Sequence, residues 1–455
     1  MRPNSRLREL LEEADCDYGQ LARWVNAVGK EHDLHLTYGK SSVSRWLDGV
    51  EPRWPTPRLV AEVLGRKVGY DVAVSDLGWK DRGLPAGGPG DGISLETTPR
   101  AILRTLASLA GKDLERRTFL RGVAFTGGAS AGPALLATTV PASQLLATQG
   151  RRRLTVADAE TVRETVNHFR ALDQRFGGGG RLRTQVVRFL HGEVSAALDG
   201  SFSTAIGQDM FAAVAELSRL VGYMTFDAGR HALAQRYFIQ SLGLAHAAGD
   251  AVETALTLGC MSFQAVHLGD GREAVALSRA GLMSQPGALS PGVSSMLHAV
   301  EGRGLALLGE ERECATALRA AEADLDRSPV EAEPAWLGHF GPAELTAHAA
   351  SCMRDLSHPA DAHDLAGEAL SGYPDSAVRS RGFARTVQAT ALLQQQEVEG
   401  ACAAALEALA IAGQLRSARS VDLLRDFQTR LAPYERVMAA REFSERSRPL
   451  LARAG

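Results

Sequence analysis

The sequence predicts an all-α protein: a small helical N-terminal domain, a linker, and a long α-solenoid of helix pairs. Three observations carry this. Alanine and leucine dominate, and β-branched residues rarely alternate with polar ones, so strand signals are nearly absent. Four of the five tryptophans (Trp24, Trp46, Trp54, Trp79) fall in the first 80 residues, which marks that segment as a separate unit. Glycines recur at a fixed spacing of 40 further on, at Gly229, Gly269 and Gly309.

The chain has 455 residues, enough for roughly two to four domains. Apolar residues make up 45% and charged residues 23%, which excludes a disordered or fibrous protein. A net charge of −3 gives no whole-chain attraction to nucleic acid or to anionic membranes, so any DNA binding must come from a local surface. The five cysteines (Cys16, Cys260, Cys314, Cys352, Cys402) lie far apart without a CxxC. That spacing indicates neither a zinc module nor a disulfide framework, and a reducing cytoplasm fits best. The first residues contain no apolar core segment, so no secretory leader is expected.

In the N-terminal domain, Ser5–Ala14 reads as an amphipathic helix with Leu7, Leu10 and Leu11 on one face. Asp17 can cap a second helix, Tyr18 to about Val28, which buries Leu21, Trp24, Val25 and Val28. After a turn-rich stretch ending in Tyr38-Gly39, residues Lys40-Ser-Ser-Val-Ser-Arg-Trp-Leu-Asp-Gly49 form a short helix closed by glycine. Val43, Trp46 and Leu47 have the spacing of an inward face, and Ser41, Ser44, Arg45 and Asp48 then point outward. Pro52, Pro55 and Pro57 break the chain before a fourth helix at Thr56–Leu64. Two helices, a connection, and a short helix exposing small polar residues and one arginine make the arrangement of a helix-turn-helix DNA reader.

The segment SSVSRWLDG resembles the recognition helix of the repressor-type (Cro/XRE) helix-turn-helix proteins, and Gln20-Leu-Ala22 resembles the start of that motif's first helix. The connection around Gly29–Tyr38 is longer than in that family. The resemblance implies that Lys40, Ser41, Ser42, Ser44 and Arg45 occupy recognition-helix positions. Arg45 would fork onto guanine O6 and N7, and the serines would reach base edges or phosphates. Lys40, Arg53 and Arg58 suit phosphates, which give affinity without sequence information. Residues 1–80 hold 12 Lys+Arg and 12 Asp+Glu, so a single copy should bind weakly and a homodimer on paired half-sites is expected.

Residues 81–150 begin with a Gly/Pro-rich linker, DRGLPAGGPGDG, and include one expected helix at Arg100–Leu109. Arg116-Arg117 before Phe119–Leu146 imitates an export signal, but it follows a whole domain; a helix packed on the array is expected instead. Residues 151–455 are read as the solenoid. Each spaced glycine is followed five positions on by a small residue: Ala234, Ala274 and Cys314. Weaker copies begin at Ser357 (with Ala362) and Gln396 (with Ala401). The pattern resembles the tetratricopeptide repeat, with a longer period than its usual length of about 34. Such an array stacks neighbour on neighbour, with Val421–Leu451 as a polar cap, and offers a concave groove for a peptide, a small molecule or a partner protein.

The complete layout, including LDQRFGGGG and the Ala-Gly-Asp250 junction, resembles the actinobacterial regulators of the NsdA type. It implies a transcription repressor of development or secondary metabolism. The other class to weigh is a protein–protein adaptor whose N-terminal domain does not read DNA. No catalytic motif, cofactor motif or metal-ligand spacing supports an enzyme: Gly177–Gly180 lacks a phosphate-loop lysine and reads as a flexible connection. His32 and His35 have no companion ligands, and His231, His246, His267 and His298 are scattered. No membrane partner is expected.

Overall fold

The fold was read from a computed structural model, which describes residues 4–14, 16–31, 36–52, 56–68, 77–79, 92–93, 98–114, 128–139, 152–284, 287, 289–328, 337–338 and 340–453. Among these residues it contains twenty α-helices, and its only strands are a two-residue parallel bridge, Arg152–Arg153 with Gly200–Ser201. The all-α reading holds. The chain forms two units, Met1–Ala86 and Gly87–Gly455.

The first unit has four helices: α1 (Ser5–Glu13), α2 (Tyr18–Glu31), α3 (Lys40–Leu47) and α4 (Thr56–Val68). Its core is Leu7, Leu10, Leu11, Leu21, Val25, Val43, Trp46, Leu47, Val60 and Leu64, joined by Leu77 and Trp79. Those residues are the inward-phased positions of the amphipathic helices, which is why the sequence pattern located them.

The second unit opens with α5 (Pro99–Leu114) and α6 (Ala131–Thr139). Both pack on the array: α5 against α8 (Arg181–Asp199) and α10 (His231–Ala248), α6 against α10 and α12 (Gly271–Met283). The Gly/Pro-rich stretch at 81–91 lies outside the described residues, and the helical parts of 81–150 that follow it pack on the array. Arg116, Arg117 and most of Phe119–Leu146 lie outside the described residues. Long helix α7 (Val156–Phe176) starts at Thr155, whose N–H and hydroxyl both donate to the Asp158 carboxylate (2.8 and 2.7 Å).

Five helix pairs follow: α9 (Thr204–Asp227) with α10, α11 (Ala251–His267) with α12, α13 (Pro291–Leu307) with α14 (Glu311–Asp326), α15 (Pro342–Asp355) with α16 (Pro359–Gly372), and α17 (Val378–Gln394) with α18 (Val398–Gln414). The glycine at each of the first three turns has positive φ (75°, 79° and 75°). The two weaker copies use the same geometry without glycine, Ser357 at 64° and Gln396 at 66°. All five turns close alike. The next residue's N–H donates five positions back, as in Arg230 to Thr225 O, Asp270 to Ala265 O, Glu310 to Leu305 O, His358 to Met353 O and Glu397 to Leu392 O. The small residue five positions after the turn (Ala234, Ala274, Cys314, Ala362, Ala401) is 0% exposed in every copy. A larger side chain there would force the paired helices apart.

Buried hydroxyls stitch the pairs. Ser241 donates to Ala215 O (2.8 Å), Ser262 to Ala274 O (2.7 Å) and Ser295 to Ala321 O (2.7 Å), each across one pair. These small side chains satisfy their own polarity while allowing close approach.

The array does not remain a stack of nearest neighbours. After α18 the chain returns to its beginning: Arg416 N–H donates to Phe176 O (3.1 Å) and Gly179 N–H to Arg416 O (3.0 Å). Helix α17 touches α7. Helix α19 (Ala418–Leu431) sends Arg419 onto Asp227 at the end of α9. A seam thus joins the two ends of the array. Gly177–Gly180 is part of that seam, not a loose connection. A Cβ on Gly178 would lie 2.7 Å from Met224 Cα, and one on Gly179 would lie 2.5 Å from Arg416 O. Helix α20 (Met438–Arg453) packs on α18 and α19.

Candidate functional site

Helix α3 is held from three sides. Asn4 accepts from Leu7 N–H (3.1 Å), donates from its side chain to Leu77 O (2.7 Å), and donates its own backbone N–H to Leu47 O (2.8 Å). It therefore ties the start of α1 to the end of α3. Asn26 on α2 forms a double hydrogen bond with the Tyr38 backbone, both at 2.9 Å. That brace sets where the long connection re-enters α3. Tyr38 then meets Trp46 edge-on (5.2 Å between centroids), Trp46 meets Trp79 (6.2 Å), and the Tyr38 hydroxyl pairs with Thr56 (2.8 Å). The helix ends as the sequence indicated: Gly49 has φ 95° and Val50 N–H donates to Arg45 O.

With Val43, Trp46 and Leu47 buried, Lys40, Ser41, Ser44, Arg45 and Asp48 form the exposed face. Ser42 does not join them. It is only 9% exposed, because helical rotation places it beside Val43 and Trp46 on the inward side, and its assignment as a DNA contact is corrected. Arg53 lies outside the described residues. Arg58 is placed on α4, with its side chain outside the described set.

Lys40 has a specific setting. Its Cε lies 2.7 Å from where a Cβ on Gly19 would stand, so the stem crosses the start of α2 where Gly19 leaves room. Asp17 caps α2 by accepting from Gly19 N–H (2.6 Å) and Gln20 N–H (3.0 Å), while its own N–H donates to the Gln20 side chain (2.9 Å). The N–H groups of Gln20 and Gly19, with a smaller contribution from Lys40, hold the Asp17 carboxyl below its usual range. The face is therefore cationic at Lys40 and Arg45 and tempered by Asp17 and Asp48.

The array contains a second candidate region at its seam. A cavity of about 410 Å³ is lined by Asp113, Arg183, Thr184, Arg230, Arg416 and the Gly179-Gly180 turn, among others. Arg183 grips Asp113 with both terminal nitrogens (2.6 and 2.7 Å), Tyr237 donates to the same carboxylate (3.0 Å), and Arg230 approaches it at 3.4 Å. Arg230 and Arg416 add positive charge to the wall. Behind this cavity, Arg379 bridges Asp173 and Asp227 (3.2 and 3.3 Å). Arg419, itself on Asp227 at 2.8 Å, is surrounded by the rings of Tyr223, Phe226, Phe263 and Phe383 (4.6 to 5.7 Å). Burial acts to raise the Asp227 carboxyl, but Arg379, Arg419, the Gly178 N–H and Ser417 together bring it down to about 2.

Sequence reasoning missed these residues because each is far from its partners along the chain. One local signal existed. Asp113 sits on the apolar face of α5, in phase with Leu106, Leu109 and Ala110, where an unpaired carboxylate is not tolerated.

Residues 7–80 are similar to the family described as the SP15 N-terminal domain. No curated protein and no solved structure matches the chain.

Proposed function

We propose that the chain is a DNA-binding transcriptional regulator whose N-terminal unit reads a duplex through α3. The observation that carries the reading is the division of that helix. One side is fixed by Asn4, Asn26 and the Tyr38–Trp46–Trp79 ring contacts, and the other presents Lys40, Ser41, Ser44 and Arg45 to solvent. A rigid short helix with a small polar face and one guanidinium suits major-groove readout. The resemblance of SSVSRWLDG to Cro/XRE recognition helices points the same way, and the likeness of the layout to regulators of the NsdA type favours repression. Because charges in residues 1–80 balance at 12 and 12, a homodimer supplies the phosphate contacts that one copy lacks.

In this reading the array transmits a signal. The cavity at the seam, with Arg183, Arg230 and Arg416 in its wall, favours a small anionic effector over an extended peptide. An effector changes DNA affinity only by its differential affinity for two conformations, and the seam is the element such a ligand would tighten.

The test is genome-wide mapping of bound DNA with the full-length chain, followed by duplex titrations on the recovered site at several salt concentrations. Selective binding whose log affinity falls linearly with log salt is expected. Arg45→Ala should weaken the specific site by about 1–3 kcal/mol, while Ser42→Ala should leave duplex affinity unchanged. Absence of selective binding, or indifference to Arg45→Ala, overturns the reading. The even charge balance of residues 1–80 would then favour a protein–protein adaptor.

A further inference from the structure

We propose that His231, His267 and Asp422 form a zinc-binding site that staples α19 to α10 and α11 across the seam. The assignment stands apart from the DNA reading, since it concerns only the array. Each of the three side chains offers one ligand atom, and these atoms all lie within 4.8 Å of one another. They come from three helices that are remote in sequence: the first residue of α10, the last of α11, and the first turns of α19.

The donor set and its surroundings fit the metal. Two imidazole nitrogens and one carboxylate oxygen match the borderline character of Zn²⁺, and three protein ligands with a water in the fourth position is a familiar arrangement. Around a tetrahedral zinc the ligand atoms stand about 3.3–3.4 Å apart. His267 Nε2 and Asp422 Oδ2 are already 3.7 Å apart, too far for a hydrogen bond and near the separation a shared ion requires. Asp422 is oriented by its other oxygen: Arg425 donates to Oδ1 at 2.9 Å, which leaves Oδ2 aimed at His267. Such outer partners fix ligand carboxylates in metal sites. His231 Nδ1 is buried and has no hydrogen-bond partner among the described residues, a cost that a metal or its bound water would remove.

Position is set as firmly. Phe226 packs against both imidazoles (5.7 Å to His231, 5.4 Å to His267), and the rings themselves are 5.5 Å apart. Gln264 donates to His231 O (2.8 Å) and fixes the start of α10 against α11. Arg419 is close enough for its charge to act on the His231 ring, and it is itself paired with Asp227.

The experiment uses the full-length chain, stripped with a chelator and titrated with Zn²⁺ against a chromophoric competitor, and with Co²⁺ as a spectroscopic probe. The wild type should take up one equivalent at this site, give Co²⁺ bands of low-coordinate character, and unfold at a higher temperature with zinc than without. His231→Ala and His267→Ala should each weaken uptake at least about tenfold and abolish the thermal shift, and Arg425→Ala should weaken it roughly tenfold through Asp422. Asp422→Asn is nearly isosteric, so loss of zinc uptake in that variant with an unchanged helical spectrum separates ligand loss from misfolding. His246→Ala, at the other end of α10, should behave as wild type. If the wild type binds no zinc at micromolar concentration, or if the His231, His267 and Asp422 variants bind as the wild type does, the assignment is overturned.

Discussion

At Asp227, one carboxylate takes hydrogen bonds from Arg379, Arg419, Ser417 and the Gly178 N–H, and it is fully enclosed. Asp227→Asn leaves two buried guanidinium groups short of charge, so a loss of about 3–5 kcal/mol in urea unfolding of the full chain is expected. The same group sets an acid limit. Its native carboxyl lies near 2, below the unfolded value, so the folded state holds fewer protons. Its contribution is complete above about pH 4 and is lost as pH falls toward 2, an effect of about 2 kcal/mol. Unfolding midpoints measured from pH 5 to 2 should fall less steeply in Asp227→Asn than in wild type. At the other end of the chain, Ser42 shows how little separates a surface residue from a core one. One step of helical rotation puts it inside while Ser41 and Ser44 remain out.

The repeated turn is the unit on which the elements are built. Glycine fills the left-handed position at 229, 269 and 309, but Ser357 and Gln396 occupy it with φ of 64° and 66°. A side chain there is strained by roughly 1–2 kcal/mol. Ser357→Gly and Gln396→Gly are each expected to raise stability by up to about 1 kcal/mol, part of the relief being offset by the greater freedom of glycine in the unfolded chain. Chemical denaturation of the two single variants checks this, and a loss of stability in both would contradict it. The sequence made these turns legible because their chemistry is local: a left-handed residue, then a small one five positions on. The same logic failed at Gly177–Gly180. A glycine run has no intrinsic signature that separates a loose connection from one pressed against Met224 and Arg416, the second of which lies more than 200 positions away.

For the second unit as a whole, closure at the seam is the feature that neighbour-by-neighbour stacking does not foresee. In an open array, removing the last helices would loosen only the adjacent pair. Here α19 and the segment before it contact α7 and α9 directly, through Arg416, Ser417 and Arg419. Deleting residues 416–455 should therefore lower hydrogen-exchange protection in α7 and α9 as well as in α17 and α18. Protection of α7 and α9 unchanged by the deletion would show that the seam carries little stability. Cavity, ion cluster and candidate zinc ligands all lie along that closure.

The sequence by itself determined the helical class, the inward face of α3 and the five equivalent turns. These follow from periodicity and turn chemistry acting over fewer than about ten residues. Tertiary structure alone decided which charges meet. Asp113 with Arg183, Asp173 and Asp227 with Arg379 and Arg419, and His231 and His267 with Asp422 are each joined by the path of the chain through space. No local pattern encodes a pairing between residues that only the closing of the array brings together.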